Sequence, residues 1–186
     1  MNEYVKMLNQ EWYDANNDSR LFEMRRAVQD LCYEYNHTRP SDLNKRNELL
    51  KQILGELPTN VELVPPIWVD YGKHIKLEDN VFVNADAYFM DGAPITIGSN
   101  TFIGPKCGFY TATHPENIEK RNAGLERALP ITIGKNVWLG ANVFVMPGVT
   151  IGEGSIIGAG STVTKDIPTH SVAVGTPCRV VRSVRQ

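Results

Sequence analysis

A six-residue pattern repeats six times without a gap between Ile133 and Pro168, and it constrains the fold more than any other feature of this chain. The six units read IGKNVW, LGANVF, VMPGVT, IGEGSI, IGAGST and VTKDIP. Each unit begins with Ile, Leu or Val, and its fifth residue is Val, Ser or Ile. Such a short period predicts a solenoid, because one unit cannot bury its apolar side alone and must stack on its neighbours.

The same phase is present earlier in the chain. It starts at Leu77 with LEDNVF, VNADAY and FMDGAP, and again at Ile97 with IGSNTF and IGPKCG. Three hexapeptides supply three short strands, enough for one turn of a triangular coil. We expect first and fifth residues to point inward, and Gly, Asn and Asp to form corners because they tolerate positive φ. The prediction is a mainly β protein, a parallel β-helix coiling from about 61 to 178 within a domain of residues 59–186.

Residues 1–58 predict a small N-terminal cap of two or three helices. One helix follows a capping residue at Asp18 or Ser19 and has apolar residues at helical spacing: Leu21, Met24, Val28, Leu31 and Tyr35. A second helix is predicted from Ser41, with one apolar face made by Leu43, Leu50, Ile53 and Leu57. Gly55 and Pro58 then end helical structure.

The hexapeptide pattern fails between Tyr110 and Pro130, which predicts one long loop leaving the coil (about 110–130). Loops of this length inside a compact repeat are usually functional. This loop contains His114, a candidate general base because the pKa of histidine is near neutral pH. A surface histidine without a catalytic role is the competing interpretation. The loop's length, its break in a regular wall and its polar surroundings favour catalysis; those neighbours are Asp70, Asn84, Asp91, Glu126 and Arg127.

Several outward positions on the coil are candidates for ligand contacts. Asn84 can orient a hydroxyl or polarise a carbonyl of a ligand. It can also serve only as a corner residue, and its spacing does not distinguish a ligand-binding role from a structural one. Trp138 occupies an outward sixth position that suits a subunit contact or a ligand platform. Ala159 and Gly160 leave a strip poor in side chains, and basic residues that could bind phosphates follow it: Lys165, Arg179 and Arg182.

Composition excludes several classes of partner. A net charge of −2 and a pI near 6.1 provide no electrostatic case for binding nucleic acid or a membrane surface. No window reaches the ~18 apolar residues of a membrane span, and the N-terminus does not resemble a secretory signal. Three cysteines without a pairing motif suit a reducing compartment, so a cytoplasmic location is the default expectation. Cys107 is interpreted as a small inward residue and not as a nucleophile.

The whole chain resembles the sugar O-acetyltransferases of the hexapeptide-repeat superfamily, in the maltose and galactoside acetyltransferase group. The motifs that carry the resemblance are Trp12-Tyr-Asp-Ala-Asn, Cys32-Tyr-Glu-Tyr-Asn, Pro65-Pro66, Asp70-Tyr-Gly, Val83-Asn84, Thr113-His114-Pro115 and the run from Pro130 to Arg182. Hexapeptides alone indicate only the superfamily, whereas the helical N-terminus and Thr-His-Pro are more specific. The resemblance implies a left-handed parallel β-helix that forms homotrimers with each active site between two subunits.

The resemblance also implies roles for individual residues. His114 would take the proton of a sugar hydroxyl that attacks acetyl-CoA directly, and Asn84 would contact the transfer centre. The acceptor pocket would be lined by Asp14, Arg25, Asp70, Asp91 and Glu126. Coenzyme A would be bound by Trp138, Ala141, Ala159, Thr164, Lys165, Arg179 and Arg182. The family pattern includes no metal.

Departures from the galactoside enzymes indicate the acceptor. Asp70 stands where those enzymes have Ser, and Glu126 stands where they have an apolar residue, so the resemblance favours the 6-OH of a glucose- or maltose-type sugar. A galactoside, a lipo-oligosaccharide or an antibiotic is the alternative acceptor on the same scaffold. A zinc enzyme of the carbonic anhydrase type would need three convergent histidines, and His37 of the four available lies in the helical cap. A non-catalytic scaffold is the third hypothesis.

Overall fold

The computed structural model describes residues 2–185, and the greater part of it is a parallel β-helix of triangular cross-section. The first face contains β2 (Glu62–Leu63), β5 (Phe82–Val83), β8 (Phe102–Ile103), β13 (Trp138–Leu139), β16 (Ile156–Ile157) and β18 (Ser171–Val174). The second contains β3 (Ile67–Val69), β6 (Ala87–Met90), β9 (Gly108–Tyr110), β14 (Phe144–Val145) and β17 (Thr162–Val163). The third contains β4 (Ile75–Leu77), β7 (Ile95–Ile97), β12 (Ile131–Ile133) and β15 (Thr150–Ile151). The predicted β-helix is confirmed.

Inward stacking follows the hexapeptide phase. The first and fifth residues of the six perfect units are all buried, and the sixth residue points outward, as at Trp138. In-register parallel pairing places equivalent residues above one another. Phe89 and Phe109, for example, stack at 5.0 Å between ring centroids and 8° between ring planes. The core is therefore a set of ladders that runs the length of the coil.

The corners need two kinds of special residue. The fourth residue of each unit from Ile133 to Thr162 has positive φ, which Asn and Gly tolerate; these are Asn136, Asn142, Gly148, Gly154 and Gly160. A glycine at the second residue of a unit meets a different constraint, because there the backbones of consecutive corners lie too close for a Cβ. A Cβ at Gly140 would lie 2.6 Å from the backbone nitrogen of Ala159.

The N-terminal cap is helical, as predicted, with α1 (Glu3–Leu8), α2 (Ser19–His37) and α3 (Leu43–Leu54). Asp18 caps α2 by accepting the Leu21 N–H at 2.8 Å, and Gly55 ends α3 at φ 89°. The second helix ends at Gly55 as predicted, but it starts at Leu43 with Asp42 as its N-cap and not at Ser41. Two residues of its predicted apolar face were wrong, because Leu43 is 63 % exposed and Leu57 lies beyond the last turn. Leu49 and Leu54 fill the buried face instead.

The excursion leaves the coil where predicted, but it is a folded arm and not an irregular loop. It contains β10 (Ala112–Thr113), α4 (Ile118–Asn122) and β11 (Leu125–Ala128). A short strand of the cap, β1 (Tyr13–Asp14), pairs with β11, so β1, β11 and β10 form an antiparallel sheet. At the C-terminus, β19 (Arg179–Ser183) folds back antiparallel to β18.

Substitution of one inward ladder residue should destabilise the protein far more than substitution of its outward neighbour. Ile133 is 1 % exposed, whereas Thr132 on the same strand is exposed. We expect Ile133→Ala to lower the free energy of unfolding by about 2–5 kcal/mol, since it leaves a cavity, and Thr132→Ala by less than about 1 kcal/mol. Urea unfolding followed by circular dichroism measures both. Equal losses would contradict the predicted inward and outward assignment.

Candidate functional site

A polar pocket of about 230 Å³ lies at the second edge of the β-helix, where the second face turns into the third. Its lining combines residues of the cap, the coil and the arm: Ala15, Asn16, Arg25, Gln29, Asp70, Tyr71, Tyr88, Met90 and Glu126. The arm departs at Thr111, on the same edge and directly above the corners that carry Asp70 and Asp91. The structure thus brings together three predicted acceptor residues, Arg25, Asp70 and Glu126.

Arg25 is held in place by two hydrogen bonds. It donates to the Tyr71 hydroxyl at 2.6 Å and to the Ala15 carbonyl at 2.7 Å. Glu126 accepts a hydrogen bond from the Tyr13 hydroxyl. Burial is the main reason that the pKa values of both tyrosines rise, that of Tyr71 to about 12. Both phenols are therefore neutral near neutral pH: the Tyr71 oxygen accepts from the Arg25 cation, and the Tyr13 hydroxyl donates to the Glu126 carboxylate.

Asp70 is the carboxylate whose titration is most informative. Its Oδ1 accepts a hydrogen bond from the Tyr88 hydroxyl at 2.9 Å. Burial nevertheless raises the pKa of Asp70 to about 6, and the nearby Asp91 adds to the rise. A carboxyl group that is poorly solvated and still ionised at neutral pH is a strong acceptor for a ligand hydroxyl.

Asp91 lies behind the pocket and not in its lining. It is fully buried, and its Oδ1 accepts the backbone N–H groups of Tyr71 at 2.8 Å and Asp70 at 3.2 Å. Its Oδ2 has no hydrogen-bond partner within residues 2–185. Desolvation raises its pKa. Asp91 therefore supports the corner from which Asp70 projects, and direct contact with the acceptor stays a prediction.

Asp14 sits beside the pocket on β1. Its carboxylate accepts the backbone N–H groups of Asn16 and Asn17 at 3.2 and 3.0 Å, which lowers its pKa. It thereby shapes the turn that places Ala15 and Asn16 at the pocket. Its contact with the acceptor stays a prediction.

His114 is exposed on the arm, next to the end of β10. Its Nδ1 lies 2.9 Å from the carbonyl oxygen of Leu125. A carbonyl oxygen can only accept, so Nδ1 carries the proton and the neutral ring has its lone pair on Nε2. Leu125 is on β11, where it is the pairing partner of Asp14 on β1. The arm therefore holds a histidine in the tautomer that a general base requires, although His114 does not line the pocket of its own chain.

Asn84 lies at the first edge, where the first face turns into the second. Its Oδ1 accepts the Ala85 N–H at 2.8 Å, so the amide NH2 group is left to donate. Successive corners on this edge join by backbone hydrogen bonds, from Lys106 to Ala85 and from Asn142 to Pro105, both at 2.8 Å. Ala141 and Ala159 occupy the corners two and three coils above Asn84, at about 10 and 14 Å along the axis. The predicted strip poor in side chains starts beside Asn84.

The remaining predicted cofactor residues are divided between two places. Arg179 and Arg182 lie on β19 and pair with Val174 and Val172, above Ala159 at the top of the first face. Trp138 is 55 % exposed on the same face. Thr164 and Lys165 follow β17 and are exposed at the second edge. Within one chain, the second face of the coil lies between Thr164 and Lys165 and the other five predicted cofactor residues.

Sequence reasoning did not select Tyr71 and Tyr88, which line the pocket, or Tyr13, which is buried behind it and holds Glu126. Tyr88 could have been found, since it is the sixth residue of VNADAY and so occupies the same outward position that identified Trp138. Tyr13 had no local signal, because its position depends on pairing with Glu126, more than a hundred residues away in the chain.

Within residues 2–185, no three His, Cys, Asp or Glu side chains are grouped to hold a metal ion. In the same part of the chain, no helix has the length and apolar character needed to cross a membrane.

The raised pKa of Asp70 predicts a pH-dependent gain in stability for Asp70→Asn. The folded protein binds more protons than the unfolded chain between about pH 4 and 6, so the wild type loses stability as pH rises through this window. We expect Asp70→Asn to increase the free energy of unfolding by about 1–3 kcal/mol at pH 8 and by roughly half of that at pH 5. Asp86→Asn, at an exposed corner, is the matched control. Urea unfolding at the two pH values measures the difference in free energy of unfolding between Asp70→Asn and the wild type. A difference that does not change with pH would contradict the raised pKa of Asp70.

Two family profiles match parts of the chain. A profile described as the maltose acetyltransferase hexapeptide capping motif matches residues 6–58, and the bacterial transferase hexapeptide profile of six repeats matches residues 130–165. A relative from Staphylococcus aureus strain MRSA252, named as an acetyltransferase without a stated acceptor, is 58% identical over 99% of this chain and 92% of its own length.

Two solved structures share the fold over the entire chain. The maltose O-acetyltransferase of Clostridium difficile 630 superposes with a TM-score of 0.96 and 41% identity, covering 100% of this chain and 99% of that one. A galactoside acetyltransferase in complex with coenzyme A has a TM-score of 0.94 and 38% identity, covering 100% and 92%. Since both sequence and fold agree over nearly the whole length, this chain belongs to the hexapeptide-repeat acetyltransferases, in the group of the maltose and galactoside O-acetyltransferases.

Proposed function

We propose that this acetyltransferase moves the acetyl group of acetyl-CoA to the 6-OH of a glucose- or maltose-type sugar, with His114 as general base. The observation that carries the proposal is the hydrogen bond from His114 Nδ1 to the Leu125 carbonyl, because it leaves Nε2 as the proton acceptor on an exposed arm. The neighbouring galactoside enzyme binds coenzyme A, which supports acetyl-CoA as the donor.

The reaction needs no covalent enzyme intermediate. The Nε2 atom takes the proton of the sugar hydroxyl while its oxygen attacks the thioester carbonyl carbon. The tetrahedral intermediate collapses with cleavage of the carbon–sulfur bond, and the protonated histidine returns its proton to the leaving thiolate. Cys107 is buried, and burial raises its pKa to about 11, so it does not compete as a nucleophile.

The first edge suits the extended pantetheine arm of coenzyme A. The Asn84 amide group can donate to the thioester oxygen at the lower end. Above it, Ala141 and Ala159 leave room for a narrow chain, and Arg179 and Arg182 offer charge to phosphates at the upper end. This order matches the order of groups in acetyl-CoA from thioester to phosphates.

The separation of the two edges supports a homotrimer with shared sites. Asp86 at the first edge and Asp91 at the second are five residues apart, roughly 15 Å of extended strand. An acetyl group bound beside Asn84 would therefore be remote from the acceptor pocket of the same chain. Three copies packed side by side would bring the second edge of one copy, with Lys165, next to the first edge of another. The trimer thus completes the site.

The pocket chemistry supports a neutral polyol as the acceptor. Asp70 and Glu126 accept hydrogen bonds from hydroxyls, and Arg25 donates to sugar oxygens. A volume of about 230 Å³ is below the range of about 300–1,000 Å³ typical of drug-sized ligands, so it suits one sugar ring.

Removal of the base should lower turnover without affecting assembly. We expect His114→Ala to lower kcat by roughly 10²–10⁴-fold, the usual contribution of a general base, with unchanged oligomeric state. His170→Asn serves as the control, since His170 is exposed at a distant corner. Turnover is followed by release of free thiol from acetyl-CoA with glucose as acceptor. Turnover near the wild-type value in His114→Ala would refute the assignment.

Filling the first edge should block the cofactor and leave the fold intact. Ala159 is exposed, so Ala159→Phe places a ring on the strip at little cost to stability. We expect the Kd for coenzyme A to rise about tenfold or more, which corresponds to about 1.4 kcal/mol. Glu153→Phe, at an exposed corner of the edge between the third and first faces, is the matched control. Calorimetric titration that gives equal Kd values for the two variants would contradict the location of the groove.

A further inference from the structure

A second, larger cleft adjoins the acceptor pocket. It has a volume of about 680 Å³ and lies between α2 and the second face of the coil. We name it the Trp68 cleft; its lining is Gln29, Asp30, Cys32, Tyr33, Asn36, His37, Pro66, Trp68, Val69, Asp70 and Tyr88. Three of these residues, Gln29, Asp70 and Tyr88, also line the acceptor pocket. The two cavities therefore lie next to each other.

The Trp68 cleft has an aromatic floor. Trp68 is 50 % exposed on the outward side of β3, and the register places it next to Tyr88 on β6. Strands in neighbouring coils are about 4.8 Å apart, so the two side chains are neighbours on this face. On the opposite wall, the rings of Tyr33 and His37 have centroids 4.2 Å apart and planes tilted by 34°, and Tyr33 is 66 % exposed. Exposed aromatic rings that line a concave surface are typical of binding sites.

Polar groups line the rim of the same cleft. Asp30 and Gln29 on α2 are exposed and have planar oxygen and amide groups available. Asn36 is already engaged, because it donates to the Ile67 carbonyl and accepts the Ile67 N–H, each at 2.9 Å. Asn36 thus anchors α2 to β3, and Asp30, Gln29 and Asp70 remain to bind a ligand.

The charge of the cleft narrows the ligand class. Its lining contains the carboxylates Asp30 and Asp70 and no lysine or arginine. A phosphate-bearing or acidic ligand would be repelled. A neutral saccharide fits, since the apolar C–H face of a sugar ring packs on an aromatic ring and its hydroxyls donate to carboxylates.

We propose that the Trp68 cleft is a second saccharide subsite, which binds the sugar units beyond the one that is acetylated and uses Trp68 as its platform. This inference rests on the proposed function, and it makes the preferred acceptor an oligosaccharide. The reacting ring occupies the pocket at Arg25 and Glu126, and the next units cross Asp70 into the cleft.

The test compares glucose with maltotriose as acceptors for the wild type, Trp68→Ala and Trp68→Phe. We expect the wild type to have a kcat/KM at least about tenfold higher for maltotriose than for glucose. Trp68→Ala should abolish this preference while kcat/KM for glucose stays unchanged, and Trp68→Phe should retain most of it because a ring remains. Phe22→Ala, a half-exposed aromatic of α2 outside both cavities, should behave as wild type.

Calorimetric titration of maltotriose into the protein without acetyl-CoA separates the two proposals. Saturable binding that is lost in Trp68→Ala, with no sugar acetylated, would refute the sugar acetylation and leave the subsite standing. Acetylation of glucose with no preference for maltotriose, or a preference that Trp68→Ala does not change, would refute the subsite. A change of sedimentation coefficient in Trp68→Ala, with saccharide selectivity intact, would instead assign the cleft to contact with a second copy of this chain.

Discussion

The stacking of inward side chains between coils is the interaction on which the rest of the structure depends. A β-strand of two or three residues has almost no stability by itself, and here each strand is held only by its neighbours above and below. The Phe89–Phe109 pair and the aliphatic ladders above it bury one continuous core. Because every coil repeats the same geometry, its outward residues form straight columns. A ligand groove along an edge and a flat aromatic face are direct consequences of that repetition.

The pocket that we propose for the acceptor exists because three distant segments meet at one edge of the β-helix. The coil provides Asp70 and Tyr88, α2 provides Arg25, and the arm provides Glu126. The antiparallel sheet of β1, β11 and β10 joins the cap to the arm and also fixes the tautomer of His114 through Leu125. Buried carboxyl groups at Asp70 and Asp91 are costly for the fold. Both lie at or behind the pocket that we propose for the acceptor, and the proposed binding role would account for their retention.

The accuracy of sequence-based prediction varied with the range of the interactions involved. Inward and outward positions were predicted correctly from Ile133 to Ile167, since each depends on the hexapeptide phase alone. The start of α3 was wrong by two residues, because Ser41 and Asp42 are both suitable caps and Asp42 is the one whose side chain accepts the Lys45 N–H. The arm was predicted as a loop, since β10 and β11 have no apolar alternation; they are stabilised by pairing with each other and, for β11, with the distant β1.

The sequence by itself therefore determined the β-helix, its helical cap, the place where the coil is interrupted and the family, because these follow from local periodicity and short motifs. It also identified Arg25, Asp70 and Glu126, through resemblance. Only the tertiary structure decided that these three share one pocket, that Asp91 lies buried behind it, and that Asn84 stands at a different edge. It alone revealed the Trp68 cleft. Such relations depend on which segments of a folded chain come into contact, and contacts between residues far apart in sequence leave no periodic signal.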